Sequence, residues 1–250
     1  MLNPEDFDTD GRLRFSSAPW ANIIRNKEVL IAGCGGIGSW ISLLVSRIGP
    51  GRMILVDMDD IERVNLGGQL FRCDQLGQSK VNACTNIMAN YSNYYAYRVL
   101  NSRIQDVLPN ISNGTFPHIF ICGFDNMEAR QYCFNSWKQK VLSMSEDSRG
   151  NYLFIDARLA AEYLQVFAIL GNDSYNINNY AVNHLFTDAE ADETVCSYKQ
   201  TSHIAAMIAA IVVNIITNSL TNENYEEYYR DVPFFTEYNA EMLMLKTSNQ

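Results

Sequence analysis

The sequence predicts an α/β fold: a Rossmann-like parallel sheet with helices on both faces, extended by antiparallel strands into a mixed sheet. Three observations predict it. Short apolar runs alternate with helix-periodic segments through the first half of the chain, as in βαβ units. A glycine-rich turn joins the first apolar run to the first helix. In the second half two apolar runs follow one another closely, and a further pair closes the chain. With 250 residues, 47% of them hydrophobic and 19% charged, the chain suits one large domain with an ample core.

The elements follow in order. Residues 1–26 read as an N-terminal arm, and its start, "MLNPEDFDTD", is acidic and polar with no leader pattern. A nucleotide-binding part spans 27–170. Val29–Ala32 is a short apolar run that stops at glycine, as a buried parallel strand does. Ile41, Leu44, Val45 and Ile48 then keep helical spacing, and Gly49 offers a C-terminal stop. "MILVD" (53–57) is the next strand, and residues 77–91 form a helix with Val81, Cys84, Met88 and Tyr91 on one face. "HIFICG" (118–123) is a third strand, trailed by a helix through "NMEARQYCFNSWKQKV". "YLFIDAR" and "YLQVFAIL" read as strands, and 171–200 as a long polar crossover loop. A hydrophobic helix over 202–218 opens the C-terminal part, 201–250, and "FFTEYNAEMLML" closes it as paired strands.

Charge and cysteine usage bound the partners. A formal net charge of -9 argues against nucleic acid or an anionic membrane as the main partner. "IAAMIAAIVVNII" (204–216) falls short of the roughly 20 residues of a membrane span and reads as a core helix. The six cysteines include no C-x-x-C pair, which points to a reducing, cytoplasmic setting and away from a four-cysteine zinc site.

The chemistry starts at "GCGGIG". Gly33, Gly35 and Gly38 match G-x-G-x-x-G between a strand and a helix, where backbone N–H groups can face an anion because no side chain intervenes. Asp57 ends the next strand, where a carboxylate can accept both hydrogen bonds of a ribose diol. NAD and ATP both fit so far. The doubled acid of "DMDD", Lys80 in "LGQSK" and Asp125 in "GFDN" favour ATP, because cleaving ATP needs a lysine and a metal-holding carboxylate near the phosphates. Read singly, Lys80 is a solvated lysine at a helix start and Asp125 a helix N-cap.

Together these residues resemble the ThiF/MoeB/HesA family, the adenylating domain shared with ubiquitin-activating enzymes. "GCGGIG", "LVDMDDIERVNLGGQ", "GQSK" and "GFDNMEAR" look like that family's four motifs, in order and at its spacing. The resemblance implies ATP and Mg²⁺ as ligands. It makes Gly33, Gly35, Gly36 and Gly38 the phosphate loop, Asp57 the ribose acid and Asp59 a second acid near the phosphates. Asn65, Gln69, Asn126 and Arg130 become further nucleotide positions, Lys80 the phosphate lysine and Asp125 the Mg²⁺-associated acid. Arg14 in "GRLRF", with Arg12 as fallback, resembles an arginine that reaches into the neighbouring protomer, which implies a homodimer. Gly68 departs from the family, which carries a phosphate-contacting arginine there; Arg14, Arg130 or Arg158 supplies the missing charge, or turnover is weakened. No structural zinc is expected.

The family's reaction joins a carboxylate to the α-phosphate of ATP and releases pyrophosphate. Its typical substrate is the C-terminal glycine of a ubiquitin-like or sulfur-carrier protein. Cys196 sits at the place resembling the thiol-bearing crossover loop, with Lys199 and a helix start to favour thiolate. Cys73, Cys84, Cys122 and Cys133 read as core or helix-face cysteines. Two other readings stay open: an adenylating dehydratase acting on a modified tRNA base, towards which "GGIGSW" and "DMDD" also point, and a non-catalytic partner subunit, for which Gly68 is the best support. A NAD dehydrogenase is more distant.

Overall fold

The strands are β1 (Glu28–Ala32), β2 (Arg52–Val56), β3 (Tyr97–Leu100), β4 (Ile119–Cys122), β5 (Leu153–Ala160), β6 (Tyr163–Leu170), β7 (Phe235–Asn239) and β8 (Met244–Ser248). The helices are α1 (Gly36–Ile48), α2 (Lys80–Ser92), α3 (Ile104–Ser112), α4 (Met127–Leu142), α5 (Glu146–Arg149), α6 (Ser174–Asn183) and α7 (Ser202–Asn222). They are seen in a computed structural model that describes residues 13–112, 115–186, 200–223 and 229–249.

All eight strands form one sheet in the order β3-β2-β1-β4-β5-β6-β7-β8. β1 pairs in parallel with β2 on one side and β4 on the other, β2 with β3, and β4 with β5. β6, β7 and β8 then add on antiparallel. The expected mixed sheet is therefore present. Strand alternation sends Val29 and Ile31 to one face, under α1, α2 and α7, and Leu30 and Ala32 to the other, under α3, α4 and α6. β1 and its neighbours are buried on both faces, which is why they read as continuous apolar runs.

Between β1 and β4 the chain reverses the direction in which it adds strands. The loops after these two strands diverge there and leave a crevice at their carboxyl ends, the usual ligand position in such sheets.

Several elements differ from expectation. β3 and α3 are additional: β3 is half-exposed at the sheet edge, and Pro109 interrupts the helical signal of α3. The polar stretch after 171 contains α6, capped by Asp173, whose Oδ1 accepts from the Asn176 N–H at 2.9 Å. Ile177 and Tyr180 bury one side of α6 together with the polar Asn176, while Asn178 and Asn183 are exposed, which hides the period. α7 is long and apolar enough to cross a membrane by length and composition, yet Ile204, Ile208, Val212 and Ile216 are fully buried in the core. On α2, Val81, Cys84 and Met88 are buried as expected while Tyr91 is 55% exposed.

Candidate nucleotide site

Gly33 leaves β1 with φ +93°, a conformation that strains any L side chain, and a Cβ there would lie 3.0 Å from the Gly123 carbonyl carbon. Gly38 has the tighter constraint: its Cβ would fall 1.8 Å from the Gly33 carbonyl oxygen. These two glycines let α1 start directly against the strand end, so the backbone of Gly35 and Gly36 turns outward at a helix N-terminus. The Gly33 N–H donates to Val56 O and the Gly123 N–H to Ala32 O, both at 2.8 Å, tying the loops after β1, β2 and β4 into one cluster.

Asp57, which follows β2, reaches into this loop. Its Oδ2 accepts from the Cys34 N–H at 2.7 Å and its Oδ1 from the Asp59 N–H at 2.8 Å. Burial pushes the Asp57 carboxyl above its ordinary range, against the pull of those two N–H groups and the Lys80 charge. A carboxylate has about four acceptor positions, so two remain for a ribose diol. Lys80 opens α2 almost fully buried, its Nζ 2.7 Å from Asp59 Oδ2. Asp57, Asp59, Lys80 and the glycine loop are thus brought together. The tether from Asp57 to the Cys34 N–H is invisible in the sequence.

Residues 65–70 form the next wall. Asn65 Oδ1 accepts from the Glu62 N–H at 2.8 Å, so this amide organises its own turn. The segment is fastened to α1: Trp40 Nε1 donates to Gly68 O at 3.4 Å, and Ser39 Oγ accepts from the Leu70 N–H at 3.0 Å. Gln69 is buried, its Oε1 lacks a partner, and its Nε2 would lie 3.8 Å from a Cβ on Gly35. A buried acceptor without a partner among the described residues is costly, and a water, a ligand group or a neighbouring donor would relieve it. Gln200, which sequence reasoning passed over, lies across Gly36 and Gly68.

Beyond β4, Asp125 is exposed and makes no ion pair or hydrogen bond with the described residues. The helix cap is its neighbour: Asn126 Oδ1 accepts from the Ala129 N–H at 2.8 Å. That overturns the capping reading of Asp125 and gives the cap to Asn126. Arg130 is engaged within the protein. It is buried with its Nη1 on Asp156 Oδ1 and on Ala157 O at 3.2 Å. Arg158 joins the same carboxylate through Nε at 2.6 Å, donates to His184 O at 2.7 Å and lies over the Phe167 ring. Neither arginine is free to replace the charge missing at Gly68.

A profile of the ThiF family matches residues 10–250. The chain belongs to the ThiF family. Curated relatives of this ThiF-family chain include ubiquitin-like modifier-activating enzyme 5 of Gallus gallus, 28% identical over 146 residues, which are 52% of this chain and 37% of that one. The Bombyx mori enzyme of the same name is 32% identical over 117 residues, 43% of this chain and 30% of that one. The chain thus spans about a third of the length of these relatives. Among solved structures, PaaA superposes with a TM-score of 0.70 at 18% identity, over 98% of this chain and 83% of that one. E. coli MccB, solved with ATP, gives 0.68 at 16% identity, over 100% and 72%. These likenesses show a shared fold.

Other ThiF-type positions fall outside the cluster. Arg14 is exposed in a single turn, Leu13–Phe15, and makes no ion pair or hydrogen bond with the described residues. Arg12, Cys196 and Lys199 lie outside the described residues. Cys73, expected on a buried face, is exposed in the turn Cys73–Gln75. Cys34, Cys84, Cys122 and Cys133 are buried; a Cys84 contact and burial push the Cys34 thiol up, which keeps it protonated and inert.

Proposed function

We propose that this chain uses ATP to adenylate the C-terminal carboxylate of a ubiquitin-like or sulfur-carrier protein or peptide. The observation that carries the reading is the switch-point cluster: a loop free of Cβ atoms at the α1 N-terminus, tethered by Asp57, with Lys80 beside it. The names of the curated relatives, and the solved pairing of MccB with ATP, support it.

In this reading the loop N–H groups and the α1 dipole orient the phosphates while Asp57 accepts from the ribose hydroxyls. The incoming carboxylate oxygen bonds to the α-phosphorus, and the bond to the β-phosphate oxygen breaks with its electron pair leaving on pyrophosphate. No proton moves, because a C-terminal carboxylate is already ionised at neutral pH. That suits a site without a histidine-centred base. Mg²⁺ fits Asp125, whose carboxylate is unengaged among the described residues; one carboxylate plus substrate phosphates is a common Mg²⁺ set. When bound it neutralises phosphate charge.

The test is ATP–pyrophosphate exchange against a panel of glycine-terminated carriers and bulk tRNA. Exchange driven by a carrier is expected, falling about a hundredfold or more in Asp125→Ala. Exchange driven by tRNA alone would overturn the carrier assignment, and no ATP binding would overturn the nucleotide reading. Cys196 is proposed for a later transfer step, on its polar sequence setting: Cys196→Ala should keep exchange and lose any thiol-sensitive carrier adduct on a non-reducing gel.

Arg14 is proposed to act in the partner's site of a symmetric homodimer. The motivation is an exposed arginine without an ion pair or hydrogen bond among the described residues, in a chain where Asp156 holds both Arg130 and Arg158. Mixing Arg14→Ala with Asp125→Ala protein should regain part of the activity. A fully active monomer at micromolar concentration would refute it.

A further inference from the structure

We propose that Gln200 is a phosphate-contacting residue of the nucleotide site, delivering carboxamide N–H groups over the N-terminus of α1. This deepens the ATP reading and rests on it. Gln200 is anchored at its backbone: it forms a parallel bridge with Ala161, in the turn between β5 and β6, and the following Thr201 Oγ1 donates to Ala161 O at 3.3 Å. Ala161 holds the left-handed conformation, φ 56°, uncommon for alanine, so the turn to which Gln200 bridges is sharply defined.

From that anchor the side chain lies flat on two glycines. A Cβ on Gly36, the first residue of α1, would sit 2.1 Å from Gln200 Oε1. A Cβ on Gly68 would sit 2.9 Å from both Gln200 Cγ and Nε2. Any other residue at either position would push the carboxamide away. Gly68 shows no positive φ, so its backbone does not demand glycine; the room for Gln200 does.

The neighbours say what the carboxamide is for. Gln69, next to Gly68, holds a buried oxygen without a partner and points its own Nε2 towards Gly35. Two carboxamides therefore converge on a helix N-terminus that favours an anion. Among the described residues, Lys80 is engaged by Asp59, and Arg130 and Arg158 by Asp156. Neutral amide donors then complete what the backbone begins. Rotation about χ3, broad and nearly two-fold for glutamine, brings Nε2 to the place where Oε1 now meets Gly36.

The experiment is calorimetry with Mg·ATP and, separately, adenosine. Gln200→Ala should weaken ATP binding about tenfold, one hydrogen bond to a charged group, and leave adenosine binding within about twofold. Gly68→Ala, which displaces the carboxamide without touching it chemically, should match that loss. The double variant should be no worse than either single one. Gln200→Glu, isosteric but negative, should lose more than Gln200→Ala. Unchanged or tighter ATP binding by Gln200→Ala would mean the side chain only packs over the loop, and additive losses in the double variant would separate the two residues; either result overturns the assignment. Wild-type protein that binds no ATP would instead remove the nucleotide reading itself.

Discussion

Replacing Asp57 with alanine is expected to cost roughly a hundredfold or more in ATP affinity, because two losses combine, each a buried charge-assisted contact of about 1.5–3 kcal/mol. One is the proposed ribose contact. The other lies in the protein: without Asp57 Oδ2 the Cys34 N–H loses its acceptor, and the glycine loop keeps only its backbone tie, Gly33 N–H to Val56 O, at the end of β2. Asp57→Asn should fall between, since one oxygen remains but an NH₂ then faces a backbone donor. Binding should also depend on pH. Burial raises the Asp57 pKa, so the ionised acceptor is lost as pH falls, beginning above the ordinary aspartate range. Wild-type affinity should decline through that interval, and Asp57→Asn should not show the step. Calorimetry from neutral pH downward checks both points. An Asp57→Ala protein that binds ATP within about threefold of wild type would refute the role.

Much of this was legible because the signals are local. "VLIAGCGGIG" declares a strand, a turn and a helix start within ten residues, since two of its glycines answer to clashes that any Cβ would create. "GFDN" and "GQSK" mark loops at the correct end of the sheet for the same reason: motif and turn coincide. What stayed hidden is long-range. Arg130 reads as a nucleotide residue within its motif, but its partner, Asp156, lies on β5 and is separated by 26 positions. A lone acid in the apolar run "FIDA" is the available hint, because a buried carboxylate needs a cation. Gln200 gave no hint at all: its importance comes from two distant glycines that leave it room. The cap of α4 could have been placed on Asn126, an asparagine three residues before the N–H it caps, had capping chemistry been weighed beside motif position.

Removing the Asp156 carboxylate is expected to be the most destabilising single change, at about 3–5 kcal/mol out of the 5–15 or so typical of a folded domain. The carboxylate is fully buried and serves three groups: the guanidinium of Arg130, the Nε of Arg158 at 2.6 Å and the Tyr180 hydroxyl, which donates at 2.8 Å. Burial alone would raise its pKa, yet the two guanidiniums and the hydroxyl outweigh that and hold it below the usual carboxylate range. Asp156→Ala leaves two guanidiniums without their counter-ion; Arg158 keeps the His184 carbonyl, the Tyr180 hydroxyl and the ring faces of Phe167, Tyr180 and Phe186, none of which carries a negative charge. The same cluster sets where α4 meets the sheet, since Arg130 is on that helix and Asp156 pairs in register with Cys122 at the end of β4. It therefore sets the base of the turn that presents Asp125. Because the folded pKa is depressed, the stabilisation is present above the unfolded value of about 3.9 and lost as pH falls through the folded one. Urea denaturation at neutral pH should show the full difference between wild type and Asp156→Asn, and the two curves should converge as pH falls through the depressed folded pKa of Asp156. Replacing all three charged residues, Arg130→Met, Asp156→Leu and Arg158→Met, should recover most of the stability, because no unpaired charge is left behind. Equal stability of Asp156→Asn and wild type at pH 7 would show that the ion cluster does not hold α4 to the sheet.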